Sequence, residues 1–414
     1  MRASTLLRVI LAIQSLFVRG FHFEDRSLVV DAAPRTRISR CGECGAKAPR
    51  VKDRRPRYWR HLDLAGMMVH LRYDIRRVHC GACGKVKTEQ VPWAALGANF
   101  THAFEERTAF LAQQCSQIAV SRLLRVTWRT VGGIVRRVVN RSLGSLGERL
   151  DGLKHIGIDE LSYRRHHEYI TVVVDHERGR VVWSSKGKNA ETLRAFFEEL
   201  GPERCAAIES VTIDMSKAFI SVVQEMVPHA RLVFDRFHVQ RLVQDALDET
   251  RRDEVRAAAN ERERMKLKGT RWTLLKGSWN LTNDDIQTLE ELEEANLPIF
   301  RGHMLKESFT TILWGRQIHV ARGRLMRWIA DAKASGLEHF ARAARTIDRY
   351  QDGILEYIRT RFNNGRTEGL NGKIRTITRR SFGFHSASAL ISMIFLCCGG
   401  VHVTPAFSAP SGFH

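Results

Sequence analysis

The spacing of apolar residues divides most of the chain into a middle part where strands and helices alternate and a long helical part behind it. Between residues 151 and 240, short apolar runs alternate with amphipathic segments of helical length in the order β-β-β-α-β-α-β. Residues 241–345 are rich in Glu, Arg, Leu and Ala and predict a helical block, and residues 346–402 are mostly helical. The middle part therefore predicts an α/β layer on a mixed sheet.

Two close pairs of cysteines mark the front part of the chain. Cys41 and Cys44 form one C-x-x-C pair, and Cys80 and Cys83 form the other. Each two-residue spacing lets one tight turn offer two thiolates, and structural zinc takes four such ligands in a tetrahedron. A redox role is the alternative, but two pairs among many arginines and lysines favour structural Zn²⁺.

A helix-turn-helix pattern follows the cysteine pairs. Residues 116–124 and 128–139 have helical periodicity, and Thr127 is suited to cap the second helix. The residues predicted to form the inner face of the first helix are Ile118, Ala119, Leu123 and Leu124. The side chains predicted to face a DNA major groove are Arg129, Arg136 and Arg137. An ordinary helical hairpin with solvated arginines is the alternative.

Three carboxylates stand where strand and helix ends can bring them together. Asp159 and Asp214 each follow an apolar, strand-like run directly, and Glu368 enters a helix rich in basic residues. A carboxylate directly after an apolar strand lies where the strands of the sheet end, and a polar ligand can reach it there. Two Mg²⁺ ions held by such oxygens can promote an in-line displacement at a phosphodiester. The sequence therefore predicts a site for two Mg²⁺ ions, or Mn²⁺.

Charge is concentrated towards the N-terminal end. The formal net charge is +21. Residues 1–150 carry 27 basic and 11 acidic side chains, a net charge of +16, whereas the rest of the chain carries +5. This asymmetry predicts a region that binds a polyanion. The overall share of hydrophobic residues, 43%, excludes a wholly disordered chain.

Five segments together resemble the ISL3-type transposases of bacterial insertion sequences, from Cys41 to about Gly400. The segments are Gly-Ile-Asp-Glu at 157–160, Thr-Ile-Asp-Met-Ser at 212–216, Phe-Asp-Arg-Phe-His-Val at 234–239, Asn-Asn-Gly-Arg-Thr-Glu-Gly-Leu-Asn-Gly-Lys at 363–373 and Ser-Phe-Gly-Phe at 381–384. The resemblance implies a multidomain α+β protein with a zinc ribbon, a helix-turn-helix and an RNase H-like α/β catalytic domain that contains an all-helical insertion.

The resemblance also implies a site and a reaction. Such enzymes bind terminal inverted repeats and carry out Mg²⁺-dependent DNA cleavage and strand transfer. By motif position, Asp159, Asp214 and Glu368 are the implied DDE triad. Asp235 and His238 match an acidic-or-Cys, x, x, His motif that implies a support for the site, although Asp235 is the alternative to Asp214 as second triad carboxylate.

Basic and acidic residues lie near the implied triad in the sequence, and the pattern says less about their roles. Arg366 and Lys373 lie within about two helical turns of Glu368 and are predicted to hold DNA phosphates, with a plain solvated face as the alternative. Glu160 is expected to point away from the site, because successive side chains of a strand alternate.

These patterns predict six parts. They are residues 1–95, an N-terminal segment with the zinc ribbon; 96–150, the helix-turn-helix; 151–240, the first part of the catalytic domain; 241–345, the helical insertion; 346–402, the second part of the catalytic domain; and 403–414, a disordered tail.

Two other functions fit the same pattern. One is a DNA-binding transcriptional regulator with an inactive catalytic domain, and the other is an RNase H-like nuclease or resolvase without strand transfer. The presence of all three carboxylates argues against the regulator. The expected partners are double-stranded DNA, as transposon ends and target, and a second copy in a homodimer on paired ends. No membrane-spanning segment is expected, and the expected location is the bacterial cytoplasm, at the nucleoid when DNA is bound.

Overall fold

A computed structural model of the chain describes residues 3–13, 15–164, 168–295, 297–360, 365–381 and 383–403, with the backbone alone for Ala3, Arg164 and residues 365–368. The chain divides into two compact units. One comprises Met1–Leu143 and Phe395–His414, and the other comprises Gly144–Ile394. Residues 404–414 of the predicted tail lie outside the described residues.

The first unit contains a five-stranded sheet that follows a short helix, α1 (Ala3–Leu11). Its strands are β1 (Leu16–Glu24), β2 (Ser27–Pro34), β3 (Val51–Leu64), β4 (Met67–Cys80) and β5 (Lys85–Thr88). The order is β1-β2-β4-β3, with β5 paired to β4; β2 and β4 are parallel and the other pairs antiparallel. Trp59, Tyr73 and Trp93 meet edge-to-face in its core.

Strands β3 and β4 form a long hairpin. Ala65 and Gly66 connect the strands with φ values of 48° and 81°, as a two-residue hairpin turn that twists with its strands requires. β3 lies at the sheet edge, where Pro56 is tolerated. Its first half is mostly exposed: Arg54 and Arg55 are in solvent, whereas the half-buried Arg57 donates a hydrogen bond to Ala98 O.

Three helices complete the described front part of this unit: α2 (His102–Gln114), α3 (Gln117–Leu124) and α4 (Trp128–Ser142). Thr127 caps α4 as predicted, because its Oγ1 accepts a hydrogen bond from Thr130 N at 3.2 Å. The predicted inner face of α3 is wrong: Ile118, Ala119 and Leu123 are exposed, and Val120 is buried. A two-turn helix with apolar residues on several sides does not specify which side packs.

The second unit begins with helix α5 (Leu146–Leu150) and contains a five-stranded mixed sheet, as predicted. Its strands are β6 (His155–Arg164), β7 (Glu168–Asp175), β8 (Arg180–Lys186), β9 (Ser210–Ile213) and β10 (Arg231–Phe234). The order is β10-β9-β6-β7-β8; β6, β7 and β8 are antiparallel, and β9 and β10 run parallel to β6.

Helices separate the parallel strands and follow the sheet. Between β8 and β10 lie α6 (Ala190–Leu200), α7 (Pro202–Ala206) and α8 (Lys217–Met226). After β10 come α9 (Arg236–Ala257), α10 (Glu261–Gly269), α11 (Arg271–Leu275), a 3₁₀ turn (Ser278–Asn280), α12 (Asn283–Glu294), α13 (Pro298–Trp314), α14 (Ile318–Ala334), α15 (Glu338–Arg349), α16 (Gln351–Thr360), α17 (Gly365–Arg380) and α18 (Ala387–Cys398).

The helical block is continuous with the sheet core. Leu247 of α9, Phe309 of α13 and Phe340 of α15 belong to the same buried cluster as the strand residues Ile158 and Ile213. The sequence-based boundaries after residues 240 and 345 fall inside α9 and α15.

Candidate acidic site and cysteine cluster

Strand register places three aspartates at one level of the second sheet. β6 pairs with β9 so that His155 is opposite Ser210, and β9 pairs with β10 so that Ser210 is opposite Arg231. Asp159 lies within β6 and does not end it as predicted, whereas Asp214 and Asp235 follow β9 and β10 directly. Continuing the register brings the three aspartates to one level of these neighbouring parallel strands, which lie about 4.8 Å apart. Side chains at one level of neighbouring strands point to the same face, so the carboxylates converge.

Asp159, on β6, connects this group to α17 through a hydrogen bond. Its Oδ1 accepts a hydrogen bond from Glu160 N at 2.6 Å, and its Oδ2 accepts one from Asn371 Nδ2. Burial raises the pKa of Asp159 above its ordinary value, the charges of Asp214 and Asp235 raise it further, and Glu160 N and His238 oppose the rise. A buried group of like charges is a place where a cation would stabilise the ionised form.

Asp214 and Asp235 have different surroundings. Asp214 is partly exposed, and its Oδ1 accepts a hydrogen bond from Ser216 N at 2.9 Å, in a turn that leads into α8. Asp235 is only 2% exposed and caps α9, because its Oδ1 accepts from Phe237 N at 3.2 Å. His238 Nε2 lies 3.9 Å from Asp235 Oδ2. Both carboxylates therefore accept a backbone N–H two residues on, but only Asp235 is buried.

Two residues near this group were missed by the sequence analysis. Asn371, on α17, is 4% exposed and holds Asp159, while its own Oδ1 has no hydrogen-bond partner among the described residues. The pKa of Glu160 is raised to about 7 by burial and by the charge of Asp214, against the effect of Lys188. Glu160 therefore interacts electrostatically with the acidic group, although strand alternation had excluded it.

The third predicted carboxylate lies on the helix that carries Asn371. Glu368 stands three residues before Asn371 in α17; its side chain and that of Arg366 lie outside the described residues. Lys373, farther along α17, is exposed. The Asn371–Asp159 contact brings this helix to β6, so the backbone places Glu368 about one turn from a residue that touches the site.

The four predicted zinc ligands lie together in the first unit. The sulfurs of Cys41, Cys44, Cys80 and Cys83 are all within 4.8 Å of one another, with Cys41–Cys83 and Cys44–Cys80 at 3.9 and 3.5 Å. Tetrahedral zinc with Zn–S bonds of about 2.3 Å requires sulfurs about 3.8 Å apart, so the donor set fits. Backbone N–H groups of Cys44 and Glu43 lower the pKa of Cys41 to about 7.

Glycines meet two different needs in the cysteine turns. The left-handed positions are Gly45 and Gly84, which follow the second cysteine of each pair with φ values of 70° and 63°. Gly42, after the first cysteine, is needed for space, because a Cβ there would lie 2.7 Å from Thr88 O.

The basic residues of the first unit divide into exposed and buried ones. Arg129 and Arg136 on α4 are exposed, as predicted. The Arg137 guanidinium instead pairs with the buried carboxylate of Glu105, with Nε–Oε1 at 2.7 Å, which ties α4 to α2. Arg60 on β3 is buried as well. A role for Arg129, Arg136 and Arg137 in DNA contact stays a prediction.

Three family models match the chain. One described as a transposase matches residues 156–394, one described as the zinc finger of transposases IS204/IS1001/IS1096/IS1165 matches 38–83, and one described as the helix-turn-helix domain of transposase family ISL3 matches 89–139. The first contains the acidic group, and the second contains all four clustered cysteines.

Two named transposases are similar in sequence to this chain along most of its length. It is 35% identical to the transposase for insertion sequence element IS1557 of Mycobacterium tuberculosis, across 97% of this chain and 96% of the relative. It is 30% identical to the transposase for insertion sequence element IS1001 of Bordetella parapertussis, across 87% of this chain and 88% of the relative. Among the described residues, no helix has the length and apolar character needed to cross a bilayer.

Proposed function

Because the chain belongs to the ISL3 family of transposases, we propose that it binds the terminal inverted repeats of an insertion sequence and catalyses Mg²⁺-dependent DNA cleavage and strand transfer. The observation that carries the chemical part is the common register level of Asp159, Asp214 and Asp235 on parallel strands. Carboxylate oxygens that converge at one end of the parallel strands are the ligands that hard divalent cations prefer.

The proposal includes an RNase H-like catalytic domain with a helical insertion. Three antiparallel strands followed by two strands parallel to the first, in the order β10-β9-β6-β7-β8, support it. The helices from α9 to α15 stand between the last strand and α17, the helix of Glu368. An insertion at this point adds helices without interrupting the sheet that positions Asp159 and Asp214.

We assign the metal ligands to Asp159, Asp214 and Glu368. When bound, two Mg²⁺ ions would polarise the scissile phosphate and stabilise charge on the attacking and leaving oxygens. The unpaired Oδ1 of buried Asn371 supports a cation at this place, since an orphaned amide oxygen is costly without one. Asn371 orients Asp159 through a hydrogen bond. Asp235 caps the start of α9. The charge of Asp235 raises the pKa of Asp159, and His238 lowers it.

DNA recognition is assigned to the first unit. Its helix-turn-helix presents Arg129 and Arg136 on α4, and the exposed Lys52, Arg54 and Arg55 of β3 add positive charge. Lys373 and Arg366 would hold phosphates beside the acidic site. Two chains acting on the two transposon ends would form a homodimer, and the reaction on chromosomal DNA would place the protein at the nucleoid in the cytoplasm.

Strand transfer is the test of this function. The full chain, incubated with Mg²⁺ and a labelled duplex carrying the inverted repeats that flank its gene, is expected to join the cleaved ends to a target plasmid, and EDTA is expected to abolish both steps. Products are resolved on a denaturing gel. Cleavage without joining would favour the nuclease or resolvase, and binding without cleavage would favour the regulator.

Zinc removal is expected to affect the first unit. Cys80→Ser should lower bound zinc from one ion per chain to a small fraction, because three remaining thiolates bind the metal much less tightly. It should also reduce binding to the inverted repeats. Metal analysis and fluorescence anisotropy measure the two effects. The matched control is Cys205→Ser, a buried thiol of the second unit, which should leave zinc unchanged; equal zinc in both variants would refute the assignment.

A further inference from the structure

A row of aromatic rings and one guanidinium begins beside the acidic site. The guanidinium carbon of Arg236 lies 4.8 Å from the ring centre of Phe237 and 4.7 Å from that of Trp314. The Trp314 ring meets Trp279 edge-to-face, with centroids 6.4 Å apart. We call these four residues the ring ladder. All of them lie in the second unit, so its internal packing holds them together.

The ladder is attached directly to the acidic group. Arg236 and Phe237 are the first two residues of α9, and the amide N of Phe237 donates the hydrogen bond that Asp235 accepts. Trp314 is the last residue of α13, and Trp279 belongs to the 3₁₀ turn of the helical block. The ladder therefore extends from the level of the carboxylates onto the helical block.

The rings of the ladder are far more exposed than a role in the core would require. Phe237, Trp314 and Trp279 are 43%, 56% and 66% exposed. Trp279 is also held in place: a Cβ on Gly277 would lie 2.7 Å from its ring, so only glycine lets the ring lie so close to the backbone. Exposed, ordered aromatic surface of this kind marks a binding site.

We propose that the ring ladder binds unpaired bases of the DNA strand next to the scissile phosphate, by stacking on Trp279 and Trp314. This inference rests on the DNA-cleaving function proposed above. The faces of a base within a duplex are covered by its neighbours, so exposed rings fit bases that have left the stack. The guanidinium of Arg236 adds positive charge for the accompanying phosphates, which a neutral apolar protein partner would not need.

Two probes with equal backbone charge test the stacking. Both contain a duplex of about 20 base pairs with a single-stranded 3′ extension, of about five thymidines in one and of as many abasic residues in the other. The full chain should bind the thymidine probe on the order of tenfold more tightly. Trp279→Ala and Trp314→Ala should reduce this ratio severalfold, and the double variant should bring it close to one, as measured by fluorescence anisotropy.

Matched variants separate stacking from folding. Trp314→Phe and Trp279→Phe should keep most of the ratio, since they keep a ring. Trp272→Ala, which removes an equally exposed tryptophan whose ring pairs with Arg271, should keep it all. Gly277→Ala, which retains every ring but displaces that of Trp279, should lower the ratio.

Two results would overturn the inference. One is a ratio near one for the unmodified chain. The other is a ratio unchanged in the double variant, including an equal loss of affinity for both probes, which would indicate a general effect or a surface for a protein. Asp159→Asn distinguishes failure of this inference from failure of the proposed function. The variant should retain the ratio of the two binding affinities, which tests the ring ladder, whereas its cleavage activity tests the metal site.

Discussion

Asp159→Asn is expected to lower strand cleavage by on the order of 10³-fold or more. The carboxylate interacts with those of Asp214 and Asp235, and its charge is what would hold a divalent cation there. Asparagine keeps one oxygen, which can accept from Glu160 N, and its amide NH2 can donate to Asn371 Oδ1 once the Asn371 amide is turned over, so the contact between β6 and α17 should survive. The loss should therefore appear in the reaction rate and not in the fold.

Cleavage of a labelled inverted-repeat duplex in Mg²⁺ measures this effect, with anisotropy and the thermal midpoint recorded for the same preparations. Asp175→Asn is the matched control, because Asp175 is a buried aspartate on the neighbouring strand, paired with Ile156 well below the level of Asp159. Its oxygen accepts from Glu177 N and Arg178 N in a turn, so its variant should cleave DNA normally. Normal cleavage by Asp159→Asn would refute the assignment of the site.

The strands next to the acidic group could be predicted because a short apolar run with clear ends is a signal contained in the strand itself. Residues 210–213 and 231–234 are short apolar runs that end in turn or acidic residues, and the structure has strands with those bounds. An aspartate that ends such a run must lie at the sheet edge. Asp214 was therefore placed correctly after a strand, whereas Asp159 lies inside β6, which continues to Arg164, so the expected strand end at Asp159 is wrong.

Asn371 could not be predicted in the same way. A single asparagine in a basic helix has no local signal, and its importance comes from a contact with Asp159, 212 positions away. Glu160 failed for a related reason: strand alternation describes the direction of a side chain but not the charges that reach it through a buried region.

Strand β3 could not be predicted from apolar alternation because its first half is rich in charged residues. Its first half contains Lys52, Arg54, Arg55 and Arg57, which obscure any apolar alternation. Only the second half has buried residues, from Trp59 to His61. An edge strand needs to bury little, because one of its sides pairs with no other strand, and therefore a sequence pattern based on burial does not detect it.

Asp214→Asn and Asp235→Asn are expected to separate the two candidates for the second metal ligand. Asp214→Asn should lower cleavage by on the order of 10³-fold or more, as Asp159→Asn does. Asp235→Asn should retain cleavage within about tenfold, because asparagine caps helices as well as aspartate does and would still accept from Phe237 N. The reason for this order is that Asp235 is buried and committed to α9, whereas Asp214 is partly exposed.

The same cleavage assay, run at several Mg²⁺ concentrations, distinguishes a ligand from a support. A support should change the rate modestly and alter the Mg²⁺ dependence little, and His238→Gln should then resemble Asp235→Asn, since the two side chains lie 3.9 Å apart. If Asp235→Asn abolishes cleavage at every Mg²⁺ concentration while Asp214→Asn retains it, the second ligand is Asp235. The metals would then bind one strand farther from β6, beside the first turn of α9 and the ring ladder.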